Sequence, residues 1–208
     1  MKKFKKIIAL AMAAMAAVSA MSMTALAAED NSSDILSMSV QETRERGFEV
    51  IDGDIYDLNG NLIIDLTDGK TAEGFTLAPE FRVHDASEFV DASSVPMLLS
   101  ASNPIYNGTK SLDLNTSGEQ GKPIGSSFKA TSSEPRCYFY YRSGTPTGVN
   151  FSVVNTSNDQ IVDWISNLQR GKADYFTVYN SAKPNASYQV YASAEGSAGN
   201  ATITVYTF

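Results

Sequence analysis

From about Lys110 onward the chain is a succession of short runs rich in Tyr, Phe, Val, Ile and Thr, each set off by a cluster of Gly, Ser, Asn or Pro. β-Branched and aromatic residues suit a pleated, half-buried surface, and none of these runs carries a helical stripe. They predict strands at Lys110–Asn115, Ser127–Thr131, Arg136–Arg142, Val149–Asn155, Gln160–Ser166, Asp174–Asn180, Ser187–Ala192 and Ala201–Phe208. The turns between them include Ser143-Gly144-Thr145-Pro146, Asn155–Asp159, Arg170-Gly171-Lys172 and Gly196–Asn200. Alternation agrees, because Val149, Phe151 and Val153 share one face, as do Ala201, Ile203 and Val205. Runs at this spacing point to a mainly β protein whose C-terminal part is an antiparallel β-sandwich of about 7–8 strands.

The first half is smaller and acidic. Ser33 is placed to cap a short helix over Asp34–Arg46, with Gly47 ending it. Asp54–Leu66 reads as a hairpin around Asn59-Gly60. A two-residue loop there would set Asp54 against Asp65, whereas a type I turn from Asp57 to Gly60 avoids that repulsion and is preferred. Residues 92–109 look like a linker, which divides the chain into an acidic region at 28–91 and a sandwich at 110–208. Within the wider Ser/Ala/Asn/Pro-rich stretch, Val95–Leu99 is apolar enough to pack somewhere.

The N-terminus has the three parts of a secretory signal peptide. Lys2, Lys3, Lys5 and Lys6 precede an apolar Ile7–Val18, and Ala25-Leu26-Ala27 supplies the small-x-small cleavage pattern. A retained spanning helix needs about 20 apolar residues, and Ser19, Ser22 and Thr24 interrupt this stretch first. Cleavage after Ala27 or Ala28 is therefore expected, with a secreted or surface-associated product of bacterial style. The only cysteine is Cys137, so no disulfide within the chain and no lipid-acceptor thiol near the cleavage point is expected. It sits in an apolar run and reads as a buried small hydrophobe.

Loss of residues 1–27 removes four lysines and no acids, which leaves a net charge of −11. Residues 28–100 carry a net charge of −12 and residues 101–208 a net charge of +1. No basic stripe is present, which argues against a nucleic-acid partner.

Three chemistries can be weighed against these residues. Asp57, Asn59, Asn61, Asp65 and Asp68 have the spacing of a calcium loop, but Leu62 stands where such a loop needs Gly, so a plain hairpin is favoured and no metal is expected. His84 is the only histidine, and no nucleophile elbow accompanies it, so no residue is assigned a catalytic role and no cofactor is expected. The aromatics are more informative. In Arg136–Arg142, Cys137, Phe139 and Tyr141 share the face suited to the core, which leaves Tyr138 and Tyr140 on the other face between Arg136 and Arg142. With Trp164, these residues form the expected ligand-binding set, since rings framed by polar donors suit sugars or a protein partner. Cross-strand pairing alone would also favour tyrosines there.

Gly171-Lys172 leading into Asp174–Val178, then Ser187-Tyr188-Gln189-Val190-Tyr191, the Gly196–Gly199 turn and the strand Ala201–Tyr206 carry a resemblance. Over residues 121–208 the chain resembles the small β-sandwich accessory domains of bacterial secreted proteins, the pre-peptidase C-terminal type among them. The resemblance implies an accessory or binding role. The reading is thus a secreted, non-enzymatic binding or surface-interaction protein for a carbohydrate or an extracellular protein. Its rivals are a small secreted hydrolase using carboxylates or His84, and a structural envelope protein. Expressed in its native host, the protein should be recovered outside the cytoplasm lacking residues 1–27 or 1–28. N-terminal sequencing that finds an intact Met1 on the exported product would refute this.

Overall fold

Strands form wherever side chains crowd a helix but pack well on a pleat. The computed structural model describes residues 34–94, 106–116, 121–130, 136–177 and 186–207. The expected signal peptide, Ser33 and the apolar stretch 95–99 lie outside them, as do the ends of three expected strands. After a 3-10 turn at Asp34–Ser37 and helix α1 (Val40–Glu45), fourteen strands follow among the described residues. They are β1 (Phe48–Ile51), β2 (Asp54–Asp57), β3 (Leu62–Ile64), β4 (Thr76–His84), β5 (Val90–Asp91), β6 (Tyr106–Leu114) and β7 (Lys122–Pro123). Then come β8 (Phe128–Lys129), β9 (Arg136–Gly144), β10 (Gly148–Asn155), β11 (Gln160–Gln169), β12 (Lys172–Thr177), β13 (Ser187–Glu195) and β14 (Gly199–Thr207). The protein is mainly β, and each of the eight expected strand positions is a strand.

Two sheets face each other. The larger has the order β4-β11-β10-β13-β7, with β8 also on β13, and the smaller has β5-β12-β9-β14-β6. Between them Phe139, Tyr141, Ile203 and Val205 meet Phe151, Val153, Ile165 and Val190 in one core. The rings of Phe139 and Phe151 lie 5.0 Å apart. Tyr141 is fully buried and keeps its hydroxyl satisfied by donating to the Pro146 carbonyl at 2.8 Å.

A third layer, built from α1 and the β1-β2-β3 sheet, covers part of the outer face of the larger sheet. Phe48, Ile55, Ile63 and Ile64 pack there with Phe81, Val83, Val154 and Ile161 in a second core. Every residue of β10 is consequently buried.

The helix is shorter than expected and starts later. Ser39, not Ser33, caps it, its side chain accepting from Glu42 N at 3.2 Å. Gly47 does end it. Its φ of +86° suits glycine, and a Cβ there would stand 2.8 Å from the Val83 carbonyl oxygen of β4. The hairpin adopts the Asp57–Gly60 turn, with Gly60 N donating to Asp57 O at 2.9 Å. A bulge then sets Ile55 against Ile64, the register that returns Asp54 to the position opposite Asp65 just past the end of β3, and the Asp54 carboxylate accepts from Leu66 N at 2.9 Å.

The regions on either side of 92–109 are joined by strand pairing. The acidic stretch supplies β4, which pairs in parallel with β11, and β5, which pairs with β12, and Ser32–Phe208 is one compact unit. Two features hide β4 in the sequence. Its partner is far along the chain, and its alternation breaks where the register jumps from Leu77 to Arg82 while β11 advances only from Ile161 to Asp163. Pro79 sits in that irregular stretch, on an edge strand that can tolerate a missing N–H. A fragment starting at Asn103 should therefore not fold cooperatively, because it leaves β11 as an open edge and uncovers Val154 and Ile161. Thermal melts and gel filtration of that fragment beside residues 32–208 check this. A sharp, monomeric melt of the fragment would show that β4 is dispensable.

Candidate functional site

The smaller sheet turns its inner face to the core, so the neighbouring positions along each strand point the other way. Tyr175 of β12, Tyr138 of β9 and Tyr206 of β14 stand directly opposite one another, which makes a row of three tyrosines across three strands. Tyr138 and Tyr206 stack with centroids 5.8 Å apart. Tyr140 lies one step along the same face, paired with Ala173 and Thr204. The Arg142 guanidinium carbon stands 5.2 Å from the centre of the Tyr140 ring, a cation–π contact, and its Nη1 donates to Thr204 Oγ1 at 3.4 Å. Beyond Thr204 the face continues in hydroxyls, with Thr204 and Thr109 at 2.8 Å and Thr202 and Ser111 at 2.9 Å.

Exposure differs sharply along the row. Tyr175 is 38% exposed and Tyr138, with the Tyr206 ring stacked on it, only 5%. Burial, then the adjoining Tyr140 and Tyr206, push the Tyr138 hydroxyl above its ordinary pKa against the opposing pull of Arg142, so it stays a neutral donor. The structure thus brings Tyr138, Tyr140 and Arg142 together and adds Tyr175 and Tyr206. Arg136 opens β9 on the same strand, though its side chain lies outside the described residues. Trp164 does not join them. It belongs to β11 and packs against the second core, on the far side of the sandwich.

A second cluster was not legible as such in the sequence. His84 at the end of β4 is completely buried, with its Nε2 3.2 Å from Asp163 Oδ1 of β11. Its Nδ1 lies 3.3 Å from Asp174 Oδ2 of β12 and 3.5 Å from Glu88 Oε2. Arg82 pairs with Glu88 at 2.6 Å. These groups tie an edge of one sheet to the other. Burial works against a charged His84, but the hydrogen bonds with Asp163 and Glu88 and the charges of Asp163 and Asp174 outweigh it and raise its pKa to about 9. Burial raises Asp174 to about 6, with His84 pulling the other way. The missed signal was Asp163 itself, a charge in the middle of the apolar run Ile161–Ile165, where only a partnered carboxylate can stay.

Chemically the cluster is closed. His84 and Asp163 have no exposed surface and Asp174 almost none, so a substrate cannot reach the imidazole. Cys137 is also fully buried, and burial followed by the charges of Asp163 and Asp174 pushes its thiol well above the usual range. The hairpin acids offer no calcium loop either. Asp57 spends its carboxylate on Asn59 N at 2.9 Å, Asn61 N at 2.8 Å and Asn61 Nδ2 at 2.8 Å. Among the described residues no group of histidine, cysteine and carboxylates is placed to hold a metal ion. No family model matches the chain, and no curated protein shows significant similarity to it.

The cluster dictates a pH response. A histidine whose folded pKa is raised from 6.5 to about 9 contributes stability that is full below 6.5 and lost as the pH rises through 9. Asp174 acts in the same direction at lower pH, its contribution fading as the pH rises from 3.8 through about 6. Urea melts should therefore show lower stability above pH 9 than at pH 7, and His84→Gln should flatten that difference. At pH 7, His84→Ala should cost about 3–5 kcal/mol, as removal of one member of a buried ion pair does. A variant as stable as the parent would show that the cluster contributes little.

Proposed function

We propose that this is an exported, non-enzymatic binding protein that meets an extracellular ligand through the outer face of its five-stranded sheet. The observation that carries the reading is the row Tyr175–Tyr138–Tyr206 with Arg142 over Tyr140, a set of rings and donors on the side away from the core. Aromatic rings stack on the apolar faces of sugars and of partner side chains, and Tyr with Arg is the composition of interface hot spots. The signal-peptide pattern and the resemblance to secreted accessory domains support the same role.

Carbohydrate is the better fit of the two ligand classes. Among the exposed large hydrophobics of the described residues, only Tyr175 and the edge residue Val90 belong to this sheet. The face also carries the hydroxyls of Thr109, Thr202 and Ser111, exposed or half-buried, while that of Thr204 is buried. Such a surface has rings to stack and hydroxyls to exchange, but little aliphatic area to bury against a protein. The rival hydrolase reading is weakened by the closure of His84, the only histidine in the chain.

A glycan array and a pull-down on cell-wall material with the purified protein test the proposal. Retention should fall by about 2 kcal/mol of affinity in Tyr175→Ala and Tyr206→Ala, with stability unchanged to within roughly 0.5 kcal/mol for the exposed Tyr175. Tyr138→Ala should instead lose about 3–5 kcal/mol of stability, because that ring is buried. If no glycan or wall fraction retains the protein, or if affinity falls only in step with stability, the proposal fails.

A further inference from the structure

Of the exposed large hydrophobics among the described residues, Val40, Ile51, Leu58 and Leu62 belong to the third layer. Three of these gather on one surface. Paired residues of neighbouring strands point to the same face, and Glu49 of β1 stands opposite Tyr56 of β2, which stands opposite Leu62 of β3. Ile51 lies two residues beyond Glu49 and shares that face. Phe48, Ile55 and Ile64 take the other face and fill the second core. Ile51, Tyr56 and Leu62 therefore run as a diagonal across the outer face of the three-stranded sheet. Leu58, in the turn that joins Tyr56 to Leu62, extends it. Ile51, Leu58 and Leu62 are 45%, 49% and 47% exposed, and Tyr56 is half-buried. Single exposed leucines are ordinary on a protein surface, whereas a contiguous apolar set rimmed by charge marks an interaction surface.

The rim has one sign. Residues 40–70 hold eight carboxylates and three bases. Two of the bases are engaged, Arg44 with Glu49 and Arg46 with Glu42 at 3.0 Å. Asp54 stands opposite Ile51 on the face itself, while the exposed Asp52 and Asp65 lie just past the ends of β1 and β3. That charge selects the occupant. A second copy would set carboxylates against carboxylates, and an anionic membrane would be repelled in the same way. A glycan gains little from Ile51, Leu58 and Leu62, which offer no ring to stack on.

We propose that the outer face of the β1-β2-β3 sheet docks a basic, amphipathic polypeptide segment. Its apolar side chains cover Ile51, Leu58 and Leu62, and its lysines or arginines meet Asp52, Asp54 and Asp65. The charges steer the segment in, and the aliphatic contact selects one that carries an apolar stripe. This surface belongs to a different layer from the tyrosine row, and the inference stands without that row.

Calorimetric titration of the full exported chain with a synthetic lysine/leucine helix, its leucines along one stripe, tests this. A peptide of the same composition in scrambled order controls for charge alone. The striped peptide should bind about tenfold more tightly than the scrambled one, as burial of one further leucine allows. Ile51→Thr/Leu62→Thr keeps every charge and suits a strand, and it should remove that preference. Leu58→Ser, outside the strands, should reduce it as well and gives a second reading if the double variant melts early. Asp52→Asn/Asp65→Asn should weaken both peptides and their salt dependence, since Asn tolerates the left-handed backbone of residue 52 (φ +54°). Equal affinity for the two peptides, or a preference untouched by the Ile51, Leu58 and Leu62 variants, overturns the proposal. So does self-association of the free chain that Leu62→Thr abolishes, which would make the occupant a second copy. Tighter binding to phosphatidylglycerol vesicles than to the striped peptide would make it a membrane and overturns the proposal too.

Discussion

The larger sheet has no solvent face along β10, and most of the remaining design follows from that constraint. Its inner side chains fill the sandwich, and of its outer ones Val154 lies under the β1-β2-β3 layer while Asn150 and Ser152 are buried beside it. A strand buried on both sides must satisfy every polar group it carries. Asn150 does so through Glu195 and Asn167, and Asn155 through Ser157 N at 3.0 Å. Gln189 of the neighbouring strand reaches the carbonyls of Ile124 at 3.2 Å and Val190 at 3.0 Å. With that sheet enclosed, the outer face of the five-stranded sheet is the broad strand surface left to present side chains outward.

The buried charges answer a different requirement. Replacing a buried ion cluster by well-packed apolar groups is often neutral or stabilising, so His84, Asp163 and Asp174 are poor evidence for raw stability. What they offer is directional. β4 runs parallel to β11 through an irregular register, and hydrophobic contacts alone tolerate slippage in such a pairing. His84 opposite Ile165, bonded to Asp163 on the same strand and facing Asp174 on the other sheet, is compatible with one register only. The cluster also closes the side of the sandwich where the chain passes from β4 to β5, from one sheet to the other.

Local chemistry made most of the strands legible. The eight runs after Lys110 announced themselves by β-branched and aromatic content, and the Asp57–Gly60 turn by Asp at its first position and Gly at its last. Non-local facts did not show. Pro79 and Glu80 disguise β4, and nothing near residue 80 points to a partner beside Ile161. Nothing beside His84 in the sequence points to a buried ion cluster, because its partners come from β11 and β12. Parity along β9 correctly set Tyr138 and Tyr140 apart from Cys137, Phe139 and Tyr141. It could not say that Trp164 belongs to the other sheet, since alternation orders the faces of one strand and is silent on which sheet the strand enters.

Charge and aromatics are partitioned along the same lines. Most of the acids fall in residues 28–100, the stretch that builds the third layer, β4 and β5, whereas residues 101–208 are nearly neutral and supply the tyrosine row and its arginine. A field of that kind repels polyanions from the acidic layer without attracting them strongly to the opposite face, where Arg142 is engaged with Tyr140 and Thr204. Under the proposed reading, contact on such a face comes from ring stacking and hydrogen bonding, which are short-ranged and insensitive to ionic strength. Salt dependence therefore discriminates between ligand classes. A neutral glycan bound by the tyrosine row would be held equally well at low and high salt, and an acidic polymer held by long-range attraction would not.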